Sequence, residues 1–269
     1  MDAERDTENR HASGPGPDGQ VRTVVVTGAG GGIGAALARG FAASGDRVVV
    51  NDIDGGKAEA VAAEIGGIAL AGDASGIVPA AREALGGRID VYCANAGIAP
   101  YGGPEADEQV WADAWDVNVM AHVRAARDLL PEWLERGSGR FVATVSAAGL
   151  LTMVGSAPYS VTKHGALAFA EWLSATYRHR GVAVHAVCPQ GVRTDMLTAA
   201  GPAADIVLRD TSIEPEQVAE AVMEAIAAER FLVLPHPEVA EYYAARATTP
   251  DRWLAGMNRV QQKLEGIAR

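Results

Sequence analysis

Tyr159 and Lys163 stand four residues apart in Tyr159-Ser160-Val161-Thr162-Lys163, thirteen residues beyond Ser146, which ends the apolar run Phe141-Val142-Ala143-Thr144-Val145. On a helix, positions i and i+4 share a face about 6 Å apart. An ammonium so placed favours the phenolate, and a phenol of unperturbed pKa about 10 becomes usable as acid and base near neutral pH. A serine at the carboxyl end of a strand can hold the oxygen whose proton the phenol gives or takes. Alone, such a pair is more often a solvated helix face, so its meaning depends on the rest of the chain.

A second group of residues lies upstream. Thr27-Gly28-Ala29-Gly30-Gly31-Gly32-Ile33-Gly34 follows an apolar run and leads into a stretch rich in Ala, Leu and Phe. Glycines there let the backbone turn sharply against a pyrophosphate seated on the positive end of the following helix. The run is degenerate: Gly28, Gly31 and Gly34 fit one spacing, Gly28, Gly32 and Gly34 another. The next strand, Arg47-Val48-Val49-Val50-Asn51, ends in Asp52. A carboxylate at that place accepts hydrogen bonds from both ribose hydroxyls and repels a 2′-phosphate, which favours NAD over NADP. Lys57, a helical turn further on, is read as facing solvent.

These residues need a scaffold that brings them together. Short Val/Ile/Ala runs near 21–27, 47–52, 67–71, 89–94, 140–145, 182–188 and 231–234 alternate with helical patterns near 32–44, 55–65, 76–85, 107–135, 157–180 and 215–229. Such alternation predicts α/β architecture, with a parallel sheet covered by helices on both faces. The polar stretch 1–20 reads as a disordered arm, 21–269 as one domain, and 235–269 as a helical extension carrying Tyr242, Tyr243, Trp253 and Met257.

At 269 residues and 48% apolar composition the chain can bury a core without staples. A net charge of -11 offers no electrostatic footprint for nucleic acid or an anionic membrane. No apolar run approaches the ~18–20 residues of a membrane span, and the chain reads as cytoplasmic. The six histidines and two cysteines show no metal-ligand spacing, so no metal is expected.

With Thr27-Gly28-x-x-x-Gly32-x-Gly34, Asp52, Asn95-Ala96-Gly97, Asn118, Ser146, Tyr159 and Lys163 in this order, the chain resembles the standard-length short-chain dehydrogenase/reductase family from about Val21 to Leu234. The resemblance implies a doubly wound seven-stranded sheet of order 3-2-1-4-5-6-7. It implies Tyr159 as general acid/base, Lys163 as the residue that lowers its pKa and holds the nicotinamide ribose, Ser146 as the group that orients the substrate oxygen, and Asn118 as a support of the proton-relaying water chain. The cofactor site would comprise Gly28, Gly31, Gly32, Ile33, Gly34, Asp52, Asp73 with Ala74 at the adenine, Asn95, Ala96, Gly97, Tyr159 and Lys163. Val192 and Thr194 would clasp the carboxamide. The strand order also places one strand between Cys93 and Cys188, about 10 Å apart and too far for a disulfide.

Departures from the family pattern are Pro189-Gln190 in place of Pro-Gly, Ala94 before Asn95, and a shortened connection from Asp73 to Asn95. The implied activity is hydride transfer between NAD(H) and a moderately sized, mostly apolar secondary alcohol or ketone. Its pocket would be walled by Ala148, Leu150, Met153, Val154, Gln190, Met196 and Leu197, with a lid through Ala200-Gly201-Pro202. Arg193 is expected in a surface ion pair. The competing readings are an NADPH-dependent ketoreductase, a non-catalytic nucleotide-binding scaffold, and sugar-nucleotide epimerase chemistry. A homodimer or homotetramer is expected by resemblance.

Overall fold

A computed structural model describes residues 21–199 and 211–267. The strands β1 (Thr23–Thr27), β2 (Arg47–Asp52), β3 (Ile68–Ala71), β4 (Val91–Ala94), β5 (Gly139–Thr144), β6 (Val182–Val187) and β7 (Leu232–Val233) form one parallel sheet in the order β3-β2-β1-β4-β5-β6-β7. Successive strand residues face opposite sides. Val25 and Val49 therefore enter one core, while Val24, Val26, Val48 and Val50 enter the other. Both cores are apolar because both faces are covered, which is why these strands read as unbroken Val/Ala runs.

The described helices are α1 (Gly32–Ala43), α2 (Gly55–Ile65), α3 (Val78–Ala84), α4 (Glu108–Trp115), α5 (Ala121–Arg136), α6 (Ala148–Leu151), α7 (Ala157–Tyr177), α8 (Asp195–Ala199), α9 (Pro215–Ala227), α10 (Glu238–Thr248) and α11 (Pro250–Ile267). Helices α1, α2 and α9 pack on one sheet face, and α3, α5 and α7 on the other. The order reverses between β1 and β4, opening a crevice at the carboxyl ends of the central strands.

The helix predicted over 107–135 is broken. Between α4 and α5 the chain widens into a π-turn, Asp116–Met120, with Asn118 buried inside it. Its Oδ1 accepts the Ile98 N–H at 2.9 Å, and its Nδ2 donates to the Ile98 carbonyl at 2.9 Å and to Thr162 Oγ1 at 3.1 Å. A π-bulge of this kind is common at functional sites. The proposed arm, 1–20, and the lid at Ala200-Gly201-Pro202 lie outside the described residues. Cys93 and Cys188 are free, buried thiols, and β5 lies between β4 and β6.

Two buried histidines make the fold acid-sensitive. His122, on α5, has no hydrogen-bond partner on either ring nitrogen among the described residues; burial, then the nearby Lys163, pull its pKa to about 3. Burial, then Arg140, pull His185 to about 4. Both lie below the ordinary histidine value, so as pH falls below about 6.5 the unfolded chain takes up protons that the folded chain refuses. Stability is full above that pH and falls as pH drops toward 4, by roughly 3 kcal/mol per histidine. The urea midpoint should therefore fall between pH 7 and 4.5. That fall should shrink in His122→Leu; an identical fall in both proteins would remove His122 from the account.

Candidate active site

The glycine turn resolves its own ambiguity. Gly28 (φ +61) and Gly32 (φ +52) sit in left-handed backbone, and a Cβ at Gly34 would lie 2.2 Å from the Gly28 carbonyl oxygen. A Cβ at Gly28 would lie 2.8 Å from Ala96 Cα, and at Gly32 2.9 Å from Thr194 Cγ2. Gly31 meets nothing within 4 Å and is the extended residue before α1. The required spacing is therefore Gly28, Gly32, Gly34, while Gly31 opens the approach to the first N–H groups of α1.

Thr27 and Asn95 hold this turn to the sheet. Thr27 Oγ1 accepts the N–H groups of Asn95 at 3.0 Å and Ala96 at 3.1 Å. Asn95 Nδ2 donates to the carbonyls of Thr27 and Gly28 at 2.9 and 3.2 Å, while its Oδ1 accepts the Thr144 hydroxyl at 3.0 Å. Beside the turn, Asp52 accepts the Gly30 N–H at 2.9 Å and the Asp54 N–H at 3.0 Å. Asp73 caps a short 3₁₀ turn, Ala74–Gly76, through Ser75 N–H at 2.8 Å. Glycines whose Cβ positions are closed by neighbours, a helix amino end and a strand-end carboxylate fit a dinucleotide. The residues that would hold it are Gly28, Gly31, Gly32, Ile33, Gly34, Asp52, Asp73, Ala74, Asn95, Ala96 and Gly97, all in one cavity wall.

Ser146, Tyr159 and Lys163 line the same cavity, whose volume is about 850 Å³. The Ser146 side chain hydrogen-bonds the Tyr159 phenol. Buried Lys163 donates from Nζ to the Thr144 carbonyl at 2.9 Å, and its ammonium lies 5.6 Å from the Tyr159 ring centroid. Burial pulls Lys163 down to about 8. Burial also pushes the Tyr159 phenol above its ordinary value, against the opposing hydrogen bond with Ser146. Helical spacing does bring the Lys163 ammonium to the Tyr159 ring, and in the protein alone burial of the phenol acts in the opposite direction.

Of the expected substrate walls, Ala148, Met153, Val154, Gln190, Met196 and Leu197 line the cavity. Leu150 does not: it is 1% exposed within the core, and Leu151 takes its place in the wall. Val192 and Thr194 also line the cavity, with Thr194 against the glycine turn. Arg193 pairs with Glu214, as expected. Lys57 is exposed, as its spacing suggested, and stands at the rim of the site. It lines the cavity, its Cβ would lie 2.7 Å from a Cβ at Gly30, and its ammonium meets Asp195 of α8 at 3.6 Å.

Several contributors escape a linear reading. Thr144 binds Lys163 with its carbonyl and Asn95 with its hydroxyl. The aromatic extension marked in the sequence reaches the wall with Tyr242, Trp253 and Met257, and Glu238 and Leu264, which no motif marks, join them there. Trp253, Met257 and Leu264 recur at helical spacing, the one sequence signal that marks them as a single face. Among the described residues, no group of three or more His, Cys, Asp or Glu side chains is placed to hold a metal, and no helix is long and apolar enough to cross a membrane.

Residues 22–205 match the family model described as short chain dehydrogenase. A 1-deoxy-11-beta-hydroxypentalenate dehydrogenase of Streptomyces exfoliatus is 39% identical over 229 residues, covering 79% of this chain and 82% of that protein. A 2-(S)-hydroxypropyl-CoM dehydrogenase 3 of Xanthobacter autotrophicus is 32% identical over 228 residues, covering 74% and 87%. A short chain dehydrogenase/reductase from Burkholderia phymatum, solved in complex with NAD, superposes with a TM-score of 0.80 at 26% identity, covering 86% of this chain and 95% of that one.

Proposed function

The chain belongs to the short-chain dehydrogenase family, and on that premise we propose that it passes a hydride between NAD(H) and a moderately sized, mostly apolar secondary alcohol or ketone. The observation that carries the reading is that the Ser146, Tyr159, Lys163 group and the glycine turn share one cavity. Relatives named as dehydrogenases of hydroxylated compounds, and a neighbour solved with NAD, support it.

In the oxidative direction Ser146 orients the substrate hydroxyl and Tyr159, as phenolate, takes its proton. The bound dinucleotide supplies the acceptor for the hydride leaving the carbinol carbon. Lys163 offsets the negative charge on Tyr159. In reduction the phenol returns its proton to the carbonyl oxygen. Asn118 ties the Ile98 segment to Thr162 on α7 and thereby fixes the distance between the two halves of the site.

Asp52 supports NAD, since a carboxylate beside a 2′-phosphate is repulsive. A second reading, an NADPH-dependent ketoreductase, draws on Lys57 standing in the wall near Asp52. A panel of secondary alcohols with NAD⁺ or NADP⁺, followed by absorbance of the reduced nicotinamide, separates the two. NAD⁺ should be preferred by at least tenfold in kcat/KM, and Asp52→Ala should reduce that preference. A clear NADP⁺ preference in the parent protein would instead assign Lys57 to the phosphate. The exposed Val161 and Trp172 on α7 support self-association through that helix.

A further inference from the structure

Helix α11 is amphipathic, yet none of its described side chains is fully buried: Trp253, Met257 and Leu264 are half-buried, and the helix packs chiefly against α10. These three residues lie on one stripe that runs about 16 Å along the helix at 1.5 Å per residue. The stripe faces the cavity that contains Tyr159 and Ser146. The hairpin is anchored there by Arg246 on α10, which donates to the Leu150 carbonyl in α6. Within the hairpin the Tyr242 and Trp253 rings pair at 6.2 Å between centroids. An apolar face held over a cavity without filling it leaves room for a ligand between helix and sheet.

The charge of that end is also specified. His236 is 2% exposed; its Nδ1 accepts the Gln190 N–H at 3.1 Å and its Nε2 meets the Thr211 carbonyl at 3.1 Å, which places the ring proton on Nε2. Pro237 then leads to Glu238, which lines the same cavity as Gln190 and has no hydrogen bond or ion pair among the described residues. The cations in the described wall are Lys163, bonded to Thr144, and Lys57, on the Asp52 side. Nothing described at the far end can neutralise a substrate carboxylate, and Glu238 repels one.

We infer that the α10–α11 hairpin is the distal wall of the substrate site, and that it selects uncharged alcohols whose apolar body extends beyond the carbinol end. The inference rests on the alcohol dehydrogenase reading above. The carbinol sits at Ser146 and Tyr159, and the apolar body lies on the Trp253, Met257, Leu264 stripe. A single small ring leaves that stripe wet.

The test compares cyclohexanol, the bicyclic 2-decalol, 4-methylcyclohexanol and 4-hydroxycyclohexanecarboxylate with NAD⁺ in the full chain. Decalol should exceed cyclohexanol by at least tenfold in kcat/KM, mainly through KM. Met257→Ala should lose about tenfold on decalol and about twofold on cyclohexanol, cutting the preference roughly fivefold. The carboxylate should trail 4-methylcyclohexanol by at least tenfold, and Glu238→Gln should narrow that gap. Equal kcat/KM for one and two rings, or a Met257→Ala loss that is uniform across alcohols, overturns the inference while the dehydrogenase reading stands. If no alcohol is turned over, that reading falls instead, and 2-decalone binding decides the wall separately. Saturable quenching of tryptophan fluorescence, weakened about tenfold in Met257→Ala, supports the wall; no quenching, or equal quenching in both proteins, removes it.

Discussion

Tyr159→Phe is expected to lower kcat for alcohol oxidation by about 10³-fold or more, within the range for losing a positioned acid/base. In the proposed mechanism the substitution deletes the atom that exchanges a proton with the substrate, and it leaves the ring in place, 5.6 Å from the Lys163 ammonium. Cofactor affinity should therefore change by less than about twofold, since the cradle lies in the glycine turn, Asp52 and the Asn95 segment. Because burial raises the phenol, oxidation in the parent enzyme should accelerate as pH rises into the alkaline range, where the phenolate forms. Ketone reduction, which consumes the protonated phenol, should slow over the same range. Both arms should vanish with the hydroxyl. Stopped-flow absorbance across pH, beside fluorescence titration of NADH, measures all three; undiminished turnover in the variant removes Tyr159 from the mechanism.

Gly34→Ala carries the largest expected structural effect. The new methyl would lie 2.2 Å from the Gly28 carbonyl oxygen and 2.8 Å from Ala29 Cα, both backbone, so no side-chain rotation relieves the overlap. Either the turn opens or α1 moves away from β1. We expect a loss of about 3 kcal/mol or more in stability, and at least a hundredfold loss of NADH affinity. Gly31→Ala is the control, because its Cβ meets no atom within 4 Å and its backbone is extended. That variant should keep the parent Tm. Urea unfolding and isothermal titration of both proteins decide the matter, and equal stability of the two would mean that the close approach at Gly34 is not required.

Much of this site is legible in the order of residues. The seven strands follow from continuous Val, Ala and Ile runs, because a sheet covered on both faces has no polar side to record in its sequence. The Ser146, Tyr159, Lys163 group is legible because local geometry places its members: Tyr159 and Lys163 one helical turn apart, and Ser146 at a strand end. The glycine turn is legible as a turn, but the choice between its two spacings is not, since it depends on Ala96 and Thr194, which arrive from other strands. The π-turn at Asn118 is likewise hidden within a stretch whose composition is helical throughout; long-range bonds to Ile98 and Thr162 accompany it.

The amino-acid sequence by itself determined the fold class and marked the glycine turn and the Ser146, Tyr159, Lys163 group that line one cavity, because each rests on backbone period and on spacings of a few residues. Tertiary structure alone decided that Leu150 is core while Leu151 is wall, and that Arg246, 96 residues away, fastens the terminal hairpin to α6. These outcomes are sums over neighbours brought from distant parts of the chain. Burial and desolvation depend on everything within a few ångströms, and no local spacing records what that will be.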